Sequence, residues 1–182
     1  YLIALYYTIG LTILSLFSTF RYEYAIVLPK SKRRAEELYF LCIFITILVS
    51  ITFFLIAFLF GTKILIFFNF TSLNEYILLI PLSILLSGVT QTNDLWLNRN
   101  EEYKYMGFLR VIQSVAIVSL TILFGYVLST ATSLIIGNLI GMTILMIVGF
   151  VLLRRSIGTH IKKINFKNLF ASFRRYIDFL RF

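Results

Sequence analysis

Leu38-Tyr-Phe-Leu-Cys-Ile-Phe-Ile-Thr-Ile-Leu-Val-Ser-Ile-Thr-Phe-Phe-Leu-Ile-Ala-Phe-Leu-Phe60 carries no charged side chain anywhere along its length. A helix rises 1.5 Å per residue, so a stretch of this kind can cross about 30 Å of hydrocarbon. It is too long for a buried strand, which ends after roughly 4–8 residues. Ile43–Phe60 shows no alternation of apolar and polar side chains, so it is not a strand of a membrane barrel either. What remains is a membrane-spanning α-helix, whose backbone groups are satisfied within the segment itself.

Four further stretches read the same way. Leu2–Phe17 is slightly short, and Tyr76–Leu97 has Pro81 in its first turns and Asp94 near its end. Phe108–Leu128 carries Arg110 and Gln113 early, whereas Thr130–Leu153 is uncharged and contains Gly137-x-x-x-Gly141. Those two glycines make a small-residue face that another helix can approach closely. The whole chain of 182 residues is 59% hydrophobic and 14% charged, with a mean hydropathy of +0.91. Soluble domains carry about 25% charged residues. The predicted fold class is therefore an all-α integral membrane protein, with five transmembrane helices in residues 1–153. Residues 154–182 form a basic segment that leads toward a next helix. The chain opens at Tyr1 inside an apolar run and ends on Arg181-Phe182 in mid-pattern, which reads as a fragment of a longer protein.

The net charge is +9, but the basic residues are confined almost entirely to the connections between apolar runs. That pattern argues for membrane topology and against a nucleic-acid-binding face. Segment Ser18–Glu37 holds Arg21, Lys30, Lys32, Arg33 and Arg34, while Gly61–Glu75 holds only Lys63. Asn98–Gly107 holds Arg99 and Lys104, and the tail from Arg154 holds eight basic residues. Basic connections stay in the cytoplasm, so the N terminus is predicted outside and the C terminus inside. Ile64–Phe68 is too short to span and either continues the preceding helix or lies in the interface. Asn69-Phe-Thr71 matches a glycosylation triplet of the kind that arises often by chance. In the tail, Phe166, Leu169, Phe170, Phe173, Ile177 and Leu180 recur at helical spacing among Lys162, Lys163, Lys167, Arg174, Arg175 and Arg181. Such a helix lies on anionic headgroups, or it is a linker into another span.

The sequence offers little for catalysis. It has one histidine, His160 in the basic tail, and one cysteine, Cys42 inside an apolar run. No metal-ligand set, nucleophile arrangement or Gly-rich phosphate loop is present, so no catalytic residue, metal or cofactor is expected. Glu36-Glu37 and Glu101-Glu102 read as solvated helix ends. The third and fourth spans hold more polar residues: Gln91, Asn93, Asp94, Asn98, Arg99, Arg110 and Gln113. Their hairpin turns near Glu102, eight residues after Asp94 and eight before Arg110, so antiparallel packing sets both at similar depth. A charge at the centre of a span costs about 2.5–3.5 kcal/mol on insertion scales, and pairing offsets part of that. Two readings follow: an Asp94–Arg110 ion pair that fixes the hairpin, or an Arg110 that faces a wet cavity and attracts an anionic substrate.

Arg21-Tyr-Glu-Tyr-Ala-Ile-Val-Leu-Pro-Lys30, followed by Ala35-Glu-Glu-Leu38, resembles the polysaccharide biosynthesis (O-antigen) flippases. These belong to the multidrug/oligosaccharidyl-lipid/polysaccharide exporter superfamily. Ile80-Pro-Leu-Ser-Ile-Leu-Leu-Ser-Gly88, Trp96-Leu-Asn-Arg99 and Arg110-Val-Ile-Gln-Ser114 are similar to the same family, in the same order. Arg175-Tyr-Ile-Asp178 resembles the lead-in to its seventh helix, although Leu180 follows Phe179 where the family usually has proline soon after the aromatic residue. The resemblance implies the second to sixth helices of a protein built from two six-helix lobes around a central cavity. It implies a transporter in the bacterial inner membrane that moves an undecaprenyl-pyrophosphate-linked oligosaccharide to the outer leaflet, for O-antigen, capsule or other polysaccharide. Expected partners are that lipid-linked substrate, membrane lipids and other polysaccharide-assembly proteins. Arg21, Arg110 and Gln113 are the candidates for the substrate path, with Asn98 and Arg99 at its cytoplasmic entrance. Arg21 and Glu23 either stand at the mouth of a cavity or form a local ion pair. Three readings compete: a cation-coupled exporter of the same superfamily, a membrane-embedded glycosyltransferase or polymerase of the same pathway, and a structural membrane subunit.

Overall fold

In the computed structural model, residues 2–67, 70, 73–126 and 130–157 are described, and among them every regular element is helical. Helix α1 spans Leu2–Ser15 and α2 spans Lys32–Phe67, with a 3-10 helix at Tyr22–Val27 between them. Helices α3, α4 and α5 follow at Leu79–Arg99, Tyr103–Gly125 and Thr130–Ile157.

The bundle keeps its polar side chains among an apolar core and turns an apolar surface outward. Thr46, Ser50, Ser83, Thr92, Asn93 and Ser133 are buried, whereas Phe58, Leu59, Val111, Val118, Ile122 and Val151 point outward. In water this arrangement would expose too much apolar surface; in hydrocarbon, where side-chain hydroxyls need partners from the protein, it is the stable one. Many hydroxyls return to their own helix, as in Thr46 to Cys42 O (2.9 Å), Thr90 to Leu86 O (2.8 Å) and Thr92 to Gly88 O (2.8 Å). Others tie helices together: Tyr7 and Ser83 share a hydrogen bond of 2.6 Å, and Ser50 donates to Pro81 O at 2.8 Å.

Among the described residues, three helices are long and apolar enough to cross a membrane, namely Lys32–Phe67, Tyr103–Gly125 and Ala131–Arg154, while Ile3–Ser15 is apolar but shorter. The third expected span does not qualify, and its composition explains why. The second half of α3 carries Gln91, Thr92, Asn93, Asp94, Asn98 and Arg99, which lower its hydropathy. This helix is sheltered by protein instead of lipid, since it is the one element in contact with every other described element.

Several boundaries move from the expected ones. Helix α2 begins at Lys32 and continues through Ile64 to Phe67, a rise of about 54 Å, well over the thickness of the hydrocarbon core. Helix α3 starts at Leu79, because residues 73–78 form turns closed by Tyr76 N to Leu73 O and Leu79 N to Tyr76 O, both 2.9 Å. Helix α4 starts at Tyr103, where Tyr105 and Met106 donate to Glu102 O. Helix α5 carries past residue 153 to Ile157, so Arg154 belongs to the helix and not to a separate tail. The amphipathic tail with His160, both Asn69 and Thr71 of the glycosylation triplet, and Leu128 lie outside the described residues.

Helices α4 and α5 form the most extensive pair. Gly137 lies on Thr121 and Gly141 on Ile117, and a Cβ at either glycine would collide with the facing residue. Absence of side chains there lets the two axes approach, which is how helices associate where no hydrophobic drive exists between them.

Candidate functional site

The α3–α4 hairpin is closed by a turn that fixes the register of its polar residues. Glu102 N bonds Leu97 O at 3.0 Å and Glu101 N bonds Asn98 O at 3.1 Å, with Glu101 in the left-handed region at φ 57°. This is the Schellman arrangement, with Glu101 in the place glycine usually takes. It satisfies carbonyls at the end of α3 and starts α4 two residues later.

The turn sets Asp94 opposite Arg110. The Arg110 guanidinium donates to Asp94 Oδ2 and, at 3.0 Å, to Gln113 Oε1. The Asp94 side chain is 14% exposed and that of Arg110 57%, so the carboxylate is shielded and the cation lies at the surface of the hairpin. Arg110 stands seven residues into α4, about 10 Å along it. A guanidinium at that depth is favourable only if it faces water or protein polar groups. Ser87, Gln91, Asp94 and Asn98, all half-buried, recur at 4-3-4 spacing and share one face of α3. Asn98 makes no side-chain hydrogen bond to a described residue.

Helices α1 and α4 stand apart over α5 and leave an open cleft of about 580 Å³ between them. Thr8, Thr121 and Asn138 are its polar lining residues, with Ala4, Leu5 and Ile117 among the apolar ones. Arg110, Ile117 and Thr121 fall on one face of α4 by helical spacing, so the cleft continues the line of the Arg110 cluster.

The other expected residues lie elsewhere. Arg99 donates to the carbonyls of Ile26 (3.1 Å) and Val27 (3.3 Å), clasping the last turn of the 3-10 helix to the end of α3. A cation on the free carbonyls of a helix end is favourable in itself. Arg21 is exposed, with φ 60°, and makes no ion pair among the described residues. Glu23 is buried and accepts from Thr19 Oγ1, so Arg21 and Glu23 do not form the local ion pair that was one of the two readings.

Two features escape sequence reasoning. Glu36 is not a solvated helix end: it is 1% exposed, and its Oε1 meets no donor among the described residues. The fold of the 3-10 helix against α2 and α3 buries this end of the molecule. Glu37, read the same way, is largely shielded and lies 3.5 Å from Arg33. The second feature is a buried bridge, in which Tyr39 Oη donates to Asn93 Oδ1 at 2.7 Å while the Asn93 amide nitrogen rests against Gly149. It links α2, α3 and α5 at one level.

A bundle with apolar flanks, a central helix rich in polar side chains and polar groups buried within its apolar core is that of a helical membrane protein. The chain belongs to the polysaccharide biosynthesis protein family, whose model matches residues 2–175. No curated protein and no solved structure matches it.

Proposed function

We propose that this chain forms most of one lobe of a flippase, a transporter and not an enzyme. It moves an undecaprenyl-pyrophosphate-linked oligosaccharide from the cytoplasmic to the outer leaflet of the bacterial inner membrane, for O-antigen, capsule or another polysaccharide. Membership of the polysaccharide biosynthesis family supports the pathway. The observation that carries the transport step is Arg110, a half-exposed guanidinium held by Asp94 and Gln113 well inside α4. A pyrophosphate needs a cation and amide donors in a wet groove, while its lipid tail stays among acyl chains. Arg21, Arg99, Lys104 and Arg154 belong to the same end of the bundle as Lys32–Arg34, by the alternation of helix directions. In this reading that basic end is cytoplasmic and collects the anionic headgroup, with Asn98 and Arg99 at the entrance.

The direct test replaces the chromosomal copy with Arg110→Ala and Arg110→Lys and measures surface polysaccharide and cytoplasm-facing lipid-linked oligosaccharide. At normal protein levels, both variants are expected to lose export and accumulate the inward-facing lipid, because Lys cannot reproduce the two-pronged geometry. Full export in both variants would remove Arg110 from the mechanism.

One observation favours the cation-coupled exporter as a second reading. Buried Glu23 and Glu36 add carboxylates to Asp94 in the interior. Export that continues unchanged when the proton and sodium gradients are collapsed would dispose of it.

A further inference from the structure

We infer that the cleft between α1 and α4 is a binding subsite for uncharged sugar hydroxyls, with the amide of Asn138 in its lining. The inference rests on the flippase reading and extends it to a site distinct from the Arg110 cluster. Asn138 lies eight residues past Thr130, about 12 Å into α5, and sixteen before Arg154, about 24 Å from it. It is half-buried and lines the cleft, and its side chain makes no hydrogen bond to any described residue. A carboxamide offers two donors and an acceptor. Hydrocarbon satisfies none of these, so at such a depth the group requires water, a ligand or a polar group of another helix.

The walls say what kind of ligand. None of the residues lining the cleft is ionisable at neutral pH, so it has nothing with which to hold an anion. Across from Asn138, Thr8 Oγ1 donates to Ala4 O at 2.7 Å, which leaves its oxygen free to accept. Ala4, Leu5 and Ile117 supply apolar surface beside these polar groups. A sugar ring has the matching pattern, hydroxyls at its edge and C–H groups on its faces. The volume of about 580 Å³ lies within the range of small-ligand sites. Arg110 stands on the same face of α4 as Ile117, about 10 Å away along the helix. A phosphate held at Arg110 therefore leaves its attached sugars within reach of Asn138.

The experiment uses the full-length protein in membrane vesicles, with Cys42 and any other native cysteine replaced by serine. Asn138→Cys and Thr8→Cys probe the two walls, and Val118→Cys, which points outward, is the control. The probe is a charged, water-soluble methanethiosulfonate. Labelling of Asn138→Cys is expected at least about tenfold faster than labelling of Val118→Cys, because charged reagents and thiolates are excluded from hydrocarbon. Vesicles loaded with lipid-linked oligosaccharide are then compared with vesicles from cells lacking the enzyme that makes its first sugar–phosphate bond. Several-fold slower labelling in the loaded vesicles supports the subsite. Slow labelling in both sets means that lipid or another helix fills the cleft, and labelling without protection means that it holds only water. Either result overturns the inference. If Asn138→Cys does not accumulate, Thr8→Cys on exposed α1 decides by the same criteria. The cysteine-free parent is assayed separately for clearing inward-facing lipid-linked oligosaccharide. Its failure counts against the flippase reading, whereas its success with an unprotected cleft sinks only the sugar subsite.

Discussion

Glu36 Oε1 is a buried polar atom whose partner does not come from the described residues, whereas the unpartnered Asn138 side chain is half-buried in an open cleft. An unsatisfied buried polar atom costs about 1–3 kcal/mol, and more when it is charged. For Glu36 this predicts that Glu36→Gln, which keeps the shape and removes the charge, unfolds at the same temperature as the wild type or a higher one in detergent. A loss above about 1 kcal/mol would mean that the carboxylate has a cationic partner elsewhere in the protein. The Asp94–Arg110 pair behaves differently, because Arg110 is more than half exposed. A double-mutant cycle with Asp94→Ala and Arg110→Ala is expected to give a coupling of only about 0.5–1 kcal/mol. If transport activity falls much further than that coupling predicts, the arginine has work beyond fixing the hairpin. The juxtaposition of these two residues was legible in the sequence, because a hairpin turning at Glu102 fixes depth by counting. The burial of Glu36 was not, since it depends on a 3-10 helix folding across the start of α2, and no local pattern announces such a contact. Asn138 gave no signal either, as one asparagine in an apolar run has no neighbour in sequence to disclose what it faces.

At the scale of elements, α3 departs most from its reading as a span. Its hydroxyls and amides were legible as composition, but whether they meet lipid or protein is set by its central position. The turn that follows it carries a measurable strain. Glu101 holds a left-handed backbone that costs an L-residue roughly 1–2 kcal/mol, so Glu101→Gly is expected to stabilise the hairpin by up to about 1 kcal/mol. A thermal-shift series checks this; destabilisation would mean that the Glu101 side chain contributes more than its backbone costs. Between α4 and α5, Gly141→Leu must push Ile117 aside and is expected to cost about 1–3 kcal/mol. Gly107→Leu, at a glycine with open space around it, is the neutral comparison.

For the whole molecule, the basic residues describe an axis. Lys32, Arg33, Arg34, Arg99, Lys104 and Arg154 occupy the ends of helices that meet on one side, whereas Lys63 stands alone toward the other. If that side is cytoplasmic, alkaline phosphatase fused after Lys30 or Glu102 is inactive, and the same enzyme fused after Phe70 is active. The reverse pattern would invert the topology and move the Arg110 cluster to the other leaflet. The length of α2, about 54 Å, adds that at least one of its ends stands clear of the hydrocarbon, because even a tilt of about 40° leaves a span of about 41 Å.

The clasp of Arg99 on the 3-10 helix acts through main-chain oxygens. Every amino acid presents the same carbonyl, so this contact is blind to the side chains at positions 26 and 27 and sensitive only to the guanidinium. A saturation library should therefore be lopsided across the joint. As far as the clasp is concerned, Val27, which is exposed, accepts a wide range of replacements. Arg99 accepts few, because one guanidinium nitrogen donates to both carbonyls and only a long cationic side chain can bring two N–H donors to that point.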